Sequence, residues 1–484
     1  MNATIRRTAL TLGLLILALM INANVIAVLQ DDELRARDGN RRQLIDEYDQ
    51  QRGSILVGRK AIAKSVPTDE RLRYLRVYSD DAVTAAEAYA PVTGYYSVYG
   101  ATGIEKTQND LLAGSDDRLF VDRITTLLSG QQQQGGNAIL TLDADAQRAA
   151  FEGLAGQEGA VAAIEPRTGA ILALASSPSF DPNLLASHDP TEVTEQYERL
   201  RKSSGDPLLN RAIQQTYPPG SLFKVVVSAA ALSSGEYETE TQVPGPELLD
   251  LPDSSSTIGN YFDASCLGGQ LTLSEALAIS CNTAFAQIGL DLGDEALREQ
   301  AERFGFNDAL EIPLAVAPSI YPNDLDAPQT ALSAIGQYDV RASALQMAMV
   351  GAAVANDGVV MKPYLVAEEQ APDLSALSIT EPEPLSRAVS SDVAANLRDM
   401  MVNVVSNGTG STAAITGVSV GGKTGTAQDG NRDPHVWFMA FASEDDPQVA
   451  VAVIVENGGD LGDEASGSAV AGPIARDVME AVLG

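Results

Sequence analysis

Basic side chains are scarce in this 484-residue chain: 32 Lys and Arg stand against 65 Asp and Glu, a formal net charge of −33. Such a surface repels phosphate backbones, which excludes a nucleic-acid binder that works by neutralising phosphates. Cysteine and histidine are scarcer still, with only Cys266, Cys281, His188 and His435. A structural zinc site needs about four such ligands close together, and these four are too scattered; no metal or cofactor is expected. A histidine base for nucleophilic catalysis is poorly supplied for the same reason. Apolar residues are not lacking. At 45% of the chain they suffice for large cores, in one long domain or two to three ordinary ones.

Residues 8–29 carry no charge and are mostly Leu, Ile, Ala, Val and Met. As a helix rising ~1.5 Å per residue, this run spans a bilayer core of ~30 Å. Arg6 and Arg7 precede it and Asp31, Asp32 and Glu33 follow it, so the N-terminus is expected in the cytoplasm and the rest outside. A cleaved secretory signal is the competing reading, but its apolar core is usually shorter and no clear cleavage site precedes Gln30. Either reading puts the body outside the cytoplasm, away from nucleotides and in a compartment that permits disulfides.

Residues 31–60 mix charges of both signs, including Arg41, Arg42, Asp46, Glu47, Asp49 and Arg52, and read as a stalk or solvated helix. The tyrosines Tyr78, Tyr89, Tyr95, Tyr96 and Tyr99 mark a small mixed domain ending near Gly136. Residues 159–176 read as a β-hairpin around Glu165-Pro166-Arg167-Thr168-Gly169. Helical patterns follow at residues 221–232 (closed by Gly235), 273–278, 283–292 and 342–356, then strands at 435–442 and 448–456 and a closing helix with Ile474, Val478 and Val482 on one face. Strands at both ends of this stretch predict one sheet uniting the first hairpin with the last strands, covered by a helical layer.

Residues 417–424 match both Gly-x-Ser-x-Gly and Gly-x4-Gly-Lys-Thr, but each needs a helix next. Gly425-Thr426-Ala427-Gln428-Asp429-Gly430-Asn431 is turn-prone with no helical period. Three other fragments are individually ambiguous. In Pro218-Pro219-Gly220-Ser221-Leu222-Phe223-Lys224 a serine opens an apolar helix with a lysine one turn on; it reads as a helix cap beside a chance lysine, or as a nucleophile beside a buried base. No other serine has lysine three residues later. Ser280-Cys281-Asn282 lies between two short helices. Lys423-Thr424-Gly425-Thr426 follows a β-favouring run at 415–420, and alone it reads as a strand-edge turn.

The order Ser-x-x-Lys, Ser-x-Asn, Lys-Thr-Gly behind a membrane anchor resembles the class B penicillin-binding proteins, and within them the short actinobacterial A type. The likeness extends through Arg52-Gly53-Ser54-Ile55, Leu142-Asp143, Ile335-Gly336-Gln337 and His435-Val436-Trp437-Phe438. It implies an α/β (α+β) penicillin-binding transpeptidase or serine β-lactamase-like fold, an antiparallel sheet with flanking helices plus an all-helical subdomain. The expected divisions are a tail at 1–7, an anchor at 8–29, a pedestal at 30–150 and a transpeptidase domain at 151–484.

The resemblance also implies roles. Ser221 would be the acyl-accepting nucleophile, Lys224 its base and Ser280 the proton relay to the leaving amine. Asn282 would hold the donor amide and Lys224. Lys423, Thr424 and Thr426 would bind the terminal carboxylate, with Gly425 making room for substrate backbone. The N–H groups of Ser221 and Thr426 would form the oxyanion hole. The implied partners are peptidoglycan stem peptides (a D-Ala-D-Ala donor and an amine acceptor), β-lactams, the membrane, and a polytopic glycosyltransferase with other division or elongation proteins. A β-lactamase or drug sensor, or a noncatalytic division scaffold, are the alternatives; Glu275, five residues before Ser280, reads as a solvated helix position rather than a deacylating base. Cys266 and Cys281 lie in the oxidising compartment with two glycines between them. A disulfide closing ~15 residues would stabilise by ~3 kcal/mol; a pair of buried thiols is the other reading.

Overall fold

The computed structural model describes residues 2–24, 47–79, 85–130, 132–261, 264–430, 432–442 and 447–484. Asn2–Asn24 is one helix, and its stretch from Ile5 to Asn22, of mean hydropathy 1.5, is long and apolar enough to cross a membrane. The rest of the expected anchor, to residue 29, and most of the expected stalk lie outside the described residues.

The C-terminal two thirds is organised by a five-stranded antiparallel sheet. Its order is Val420–Asp429, Arg432–Ala442, Val449–Val455, Gly159–Ile164 and Ile171–Ser177, so the first hairpin does join the last strands. Val449–Val455 is buried along its whole length and reads as an unbroken apolar run. Such a run requires cover on both faces. Ala471–Leu483 and Ala144–Gly153 cover one face, and Ala344–Ala355, buried throughout, covers the other. Lys224–Ser234, Asn282–Leu292 and Asp294–Arg303 pack on one another as the helical layer, and Ser391–Asn407 touches both Lys224–Ser234 and Ala344–Ala355.

Two expectations change here. Residues 424–429 are not a turn but the continuation of strand Val420–Asp429, which starts where the β-favouring run 415–420 ends. Its glycines and threonines are held extended by pairing with the next strand, Arg432–Ala442, in a hairpin that closes at Asp429 and Arg432, a cross-strand effect that single-residue propensity does not encode. The division near residue 150 is also not clean. The six-stranded pedestal sheet runs Ala376–Ile379, Val366–Gln370, Asn137–Leu140, Ile55–Val57, Lys60–Pro67, Tyr74–Tyr78, so its first two strands come from the middle of the C-terminal region.

The solvated-stalk reading fails from Arg52 onward. Arg52 is 5% exposed, and its Nε donates to Glu105 Oε2 at 2.7 Å while Arg76 Nε donates to Glu105 Oε1 at 2.6 Å. Tyr78 OH donates to Glu105 Oε1 at 3.2 Å, and the Arg52 guanidinium lies 4.3 Å from the Tyr96 ring centre. A fully buried carboxylate 53 residues away in sequence is what lets this arginine leave water.

Candidate active site

The serine fragment folds as a 3₁₀ turn, Gly220–Phe223, running into the helix Lys224–Ser234, whose end is capped by Gly235 in the left-handed conformation. Ser221 makes no capping hydrogen bond, so the helix-cap reading does not hold. The turn is positioned from outside. The indole N–H of Trp437, the sole tryptophan, donates to Pro218 O at 3.0 Å. Gly220 N donates to Gly336 O at 3.0 Å, with both glycines at positive φ, 52° and 70°. A Cβ on Gly336 would stand 2.0 Å from Gly220 O, and one on Gly220 would stand 2.6 Å from Thr426 O. The backbone at Ser221 is thereby pressed against that of Thr426.

Gly425 does a different job from the one expected. A Cβ there would meet Leu222 Cδ1 at 2.5 Å, Trp437 Cβ at 2.9 Å and Pro219 O at 3.1 Å. The space its missing side chain opens is filled by the serine turn, not left for substrate.

Ser280 follows the helix Leu273–Ala278, whose start is fixed by a capping box between Thr272 and Glu275. Glu275 is exposed and bonded back to Thr272 N at 2.8 Å, which fits the solvated-helix reading. Ser280 itself has φ 61°, a conformation that non-glycine residues rarely adopt. This twist aims both its carbonyl and its hydroxyl at the lysines. Lys224 Nζ donates to Ser280 O at 2.8 Å and to Asn282 Oδ1 at 2.7 Å, and lies 3.2 Å from Ser280 Oγ. Lys423 Nζ donates to Ser280 Oγ at 2.9 Å and to Thr424 O at 2.9 Å. Asn282 is steadied by donation from Nδ2 to Gly259 O at 3.1 Å, which leaves one amide hydrogen for another partner. Cys266 and Cys281 form a disulfide, their Cα atoms 6.1 Å apart, which fastens the middle of the Ser280-Cys281-Asn282 loop to the segment before it.

Both lysines are fully buried. Burial and then the charge of Lys423 push Lys224 well below the usual lysine range; burial brings Lys423 down to about 7. No carboxylate is bonded to either lysine among the described residues, so neither is locked as a cation. Thr424 is bonded through Oγ1 to Thr409 Oγ1 at 2.8 Å, while Thr426 remains partly exposed beside Gly220. Sequence reading gave no role to Thr409, Gly336 or Trp437. Gly336 and Trp437 stand in two of the segments that carry the resemblance, and the lone tryptophan carried a physical signal as well, since a buried indole N–H needs an acceptor.

A serine at the start of a helix on one edge of an antiparallel sheet, a lysine one turn on, a Ser-x-Asn loop and a lysine on the edge strand define a serine acyl-transfer centre. The comparisons narrow the class. Residues 159–480 match the penicillin-binding protein transpeptidase domain, and residues 52–138 match the penicillin-binding protein A dimerisation domain. The chain is 46% identical to the peptidoglycan D,D-transpeptidase PbpA of Mycolicibacterium smegmatis, over 100% of this chain and 99% of that one. With PbpA of Mycobacterium tuberculosis the identity is 45% over the same shares. The solved penicillin-binding protein A of M. tuberculosis, as its ceftriaxone acyl-enzyme, superposes with a TM-score of 0.87 at 43% identity, covering 91% of this chain and 100% of that one. The chain belongs to the class B penicillin-binding protein transpeptidase family.

Proposed function

We propose that the chain is a peptidoglycan D,D-transpeptidase that takes the acyl group of a D-Ala-D-Ala stem peptide onto Ser221 and passes it to an amine of a neighbouring peptide. The observation that carries the assignment of roles is the convergence of Lys224 Nζ and Lys423 Nζ on Ser280 Oγ, at 3.2 and 2.9 Å. A neutral Lys224 spends its two hydrogens on Ser280 O and Asn282 Oδ1, so its lone pair is turned to the hydroxyl side of the site, where Ser280 Oγ lies 3.2 Å away and where it can accept a proton. It acts as the base for Ser221, which a hydroxyl needs before it can attack. Ser280 accepts from Lys423 and hands its own proton along the same line, to the leaving amine. Lys423, Thr424 and Thr426 hold the terminal carboxylate, and the N–H groups of Ser221 and Thr426 stabilise the oxyanion. β-Lactams acylate Ser221 as mimics of the D-Ala-D-Ala end.

A hydrolase needs a carboxylate or other base to activate water against the ester. Glu275, engaged in its capping box, does not serve, and this favours slow deacylation over β-lactamase chemistry. The N-terminus lies in the cytoplasm and the catalytic body outside, which the Arg6-Arg7 charge step and a disulfide both support. A polytopic glycosyltransferase and division or elongation proteins are the partners proposed for the membrane helix and pedestal.

Labelled penicillin tests the reading. The wild-type protein is expected to gain a covalent adduct that outlasts minutes, and Ser221→Ala to gain none while its thermal midpoint moves little, because the Ser221 side chain caps nothing. An adduct on the Ala variant would move the nucleophile elsewhere; turnover within seconds would favour a β-lactamase, and no labelling of the wild type a scaffold.

A further inference from the structure

Tyr217, four residues before Ser221, is held by a carboxylate that the acyl-transfer chemistry leaves unused. Tyr217 is 3% exposed, and its hydroxyl donates to Glu456 Oε1 at 2.7 Å. Burial, and then the charge of Glu456, push this hydroxyl up from its usual range, so it stays a donor. The same Oε1 accepts from Arg211 Nε at 3.0 Å. Arg211 is buried as well, and the rest of its guanidinium donates to Asp206 O at 3.2 Å and to Gly205 O. Glu456 directly follows Val449–Val455, the middle strand of the five, and its own N–H donates to Glu158 O at 2.7 Å. The carboxylate is thus mounted on the central sheet.

From this mount the hold runs to the serine. Tyr217 N donates to Ala342 O at 2.9 Å and Ala342 N to Tyr217 O at 2.8 Å, while the Tyr217 ring meets His435 and Trp437 edge-on at centroid distances of 5.3 and 6.0 Å. Pro218 and Pro219 come next, and their rings fix φ and leave no N–H by which the chain could be gripped. Whatever fixes Tyr217 is therefore passed along a stiff dipeptide to Gly220 and Ser221.

We propose that Glu456 is a positioning residue for the acylation of Ser221: acting through Tyr217, its carboxylate sets the direction in which the serine turn enters the site. The inference rests on the transpeptidase reading and adds a residue that works on Ser221 without touching it. A hydroxyl-to-carboxylate bond is charge-assisted and about twice as strong as a neutral one, and with Arg211 on the same oxygen the carboxylate has one orientation. Losing the bond frees the tyrosine to rock at the root of the turn, where a shift of about 1 Å can cost ~10²-fold in rate.

The test uses the full chain in detergent and stopped-flow acylation by a chromogenic cephalosporin, which separates the rate constant at saturation from the half-saturating concentration, followed by a count of bound label per chain. Tyr217→Phe keeps the ring and removes the hydroxyl; Glu456→Gln keeps an acceptor oxygen and removes the charge. Tyr217→Phe is expected to lower the saturating rate constant by about tenfold or more, with the half-saturating concentration and the final label per chain unchanged. Glu456→Gln should slow the same step, and in the Tyr217→Phe background it should slow it no further, because both act through one hydrogen bond. A wild-type rate constant in Tyr217→Phe overturns the proposal. So does a wild-type rate constant with less label per chain, which marks a cluster that only stabilises the fold, and so does a fully additive loss in the double variant, which puts Glu456 to work by another route. A wild-type protein that penicillin never labels overturns the transpeptidase reading itself, which is a separate outcome.

Discussion

Lys224 and Lys423 are the residues whose electrostatics decide the chemistry. Two buried ammonium groups sharing the Ser280 hydroxyl are disfavoured by burial and by their mutual repulsion, and both push Lys224 well below the usual lysine range. Lys423 must be cationic to attract a carboxylate, and burial brings it down to about 7. The dependence of kcat/KM on pH reports the free enzyme. Acylation efficiency is therefore expected to decline as pH rises through about 7. In Lys423→Arg the guanidinium stays charged, and this alkaline limb should move up beyond the range in which a lysine titrates. Stopped-flow acylation with a chromogenic cephalosporin across pH reads both profiles. An alkaline limb that stays in place in the Arg variant would remove Lys423 as its source.

At the scale of elements, three pieces of chain are locked together through atoms that are missing as much as through atoms that are present. The serine turn, the strand Val420–Asp429 and the segment at Gly336 meet at Gly220, Gly425 and Gly336, each lacking the Cβ that would collide. Gly336→Ala would put a methyl 2.0 Å from Gly220 O at a φ of 70°. The turn must then shift, and a displacement of about 1 Å can cost ~10²-fold in rate. Penicillin acylation should fall by that order while circular dichroism stays near wild type; an unaffected rate would mean that the turn is held by other contacts. The disulfide acts on the neighbouring loop. Cys266→Ser with Cys281→Ser should cost ~3 kcal/mol by the chain-entropy argument for a closed loop of this length, measured by denaturant unfolding against the oxidised protein. An unchanged midpoint would show that packing alone fixes the Ser280 segment.

For the whole molecule, the pedestal and the catalytic region are one construction, because strands Val366–Gln370 and Ala376–Ile379 complete the pedestal sheet. At its heart Glu105 is held between Arg76 and Arg52. Burial alone would raise its carboxyl, but the two guanidinium groups outweigh that and hold it below the usual range. A carboxyl whose folded value is lowered contributes stability that is fully present above its ordinary value of ~4.3 and is lost as pH falls through the folded value. Glu105→Gln, which leaves two arginines buried without a counter-charge, should cost ~3–5 kcal/mol at neutral pH and should flatten the acid loss seen in the wild type. Calorimetry from neutral to acid pH compares the two. Equal midpoints throughout would show that the cluster is not a stabilising feature of the pedestal.

The membrane helix, the order of hairpin, helices and closing strands, and the three motif fragments could be read from the sequence because each is local: an uncharged run, a period of 2 or 3.6, a short spacing. Lys224 could be singled out because lysine is rare here and sits one turn from Ser221. What depends on partners far away in sequence could not be read. The burial of Arg52 depends on Glu105, 53 residues on, whereas the extension of Thr424 to Asp429 as strand depends on cross-strand pairing with the adjacent Arg432–Ala442, which residue propensities do not show. The true neighbour of Gly425 is the serine turn, about 200 residues earlier, and that of Thr424 is Thr409. Local pattern fixes what each segment can be, whereas hydrogen bonds, counter-charges and close backbone approaches across the fold exist only once the chain has closed on itself. The tertiary structure therefore decided which lysine burial and a neighbouring charge push down furthest, and what each glycine makes room for.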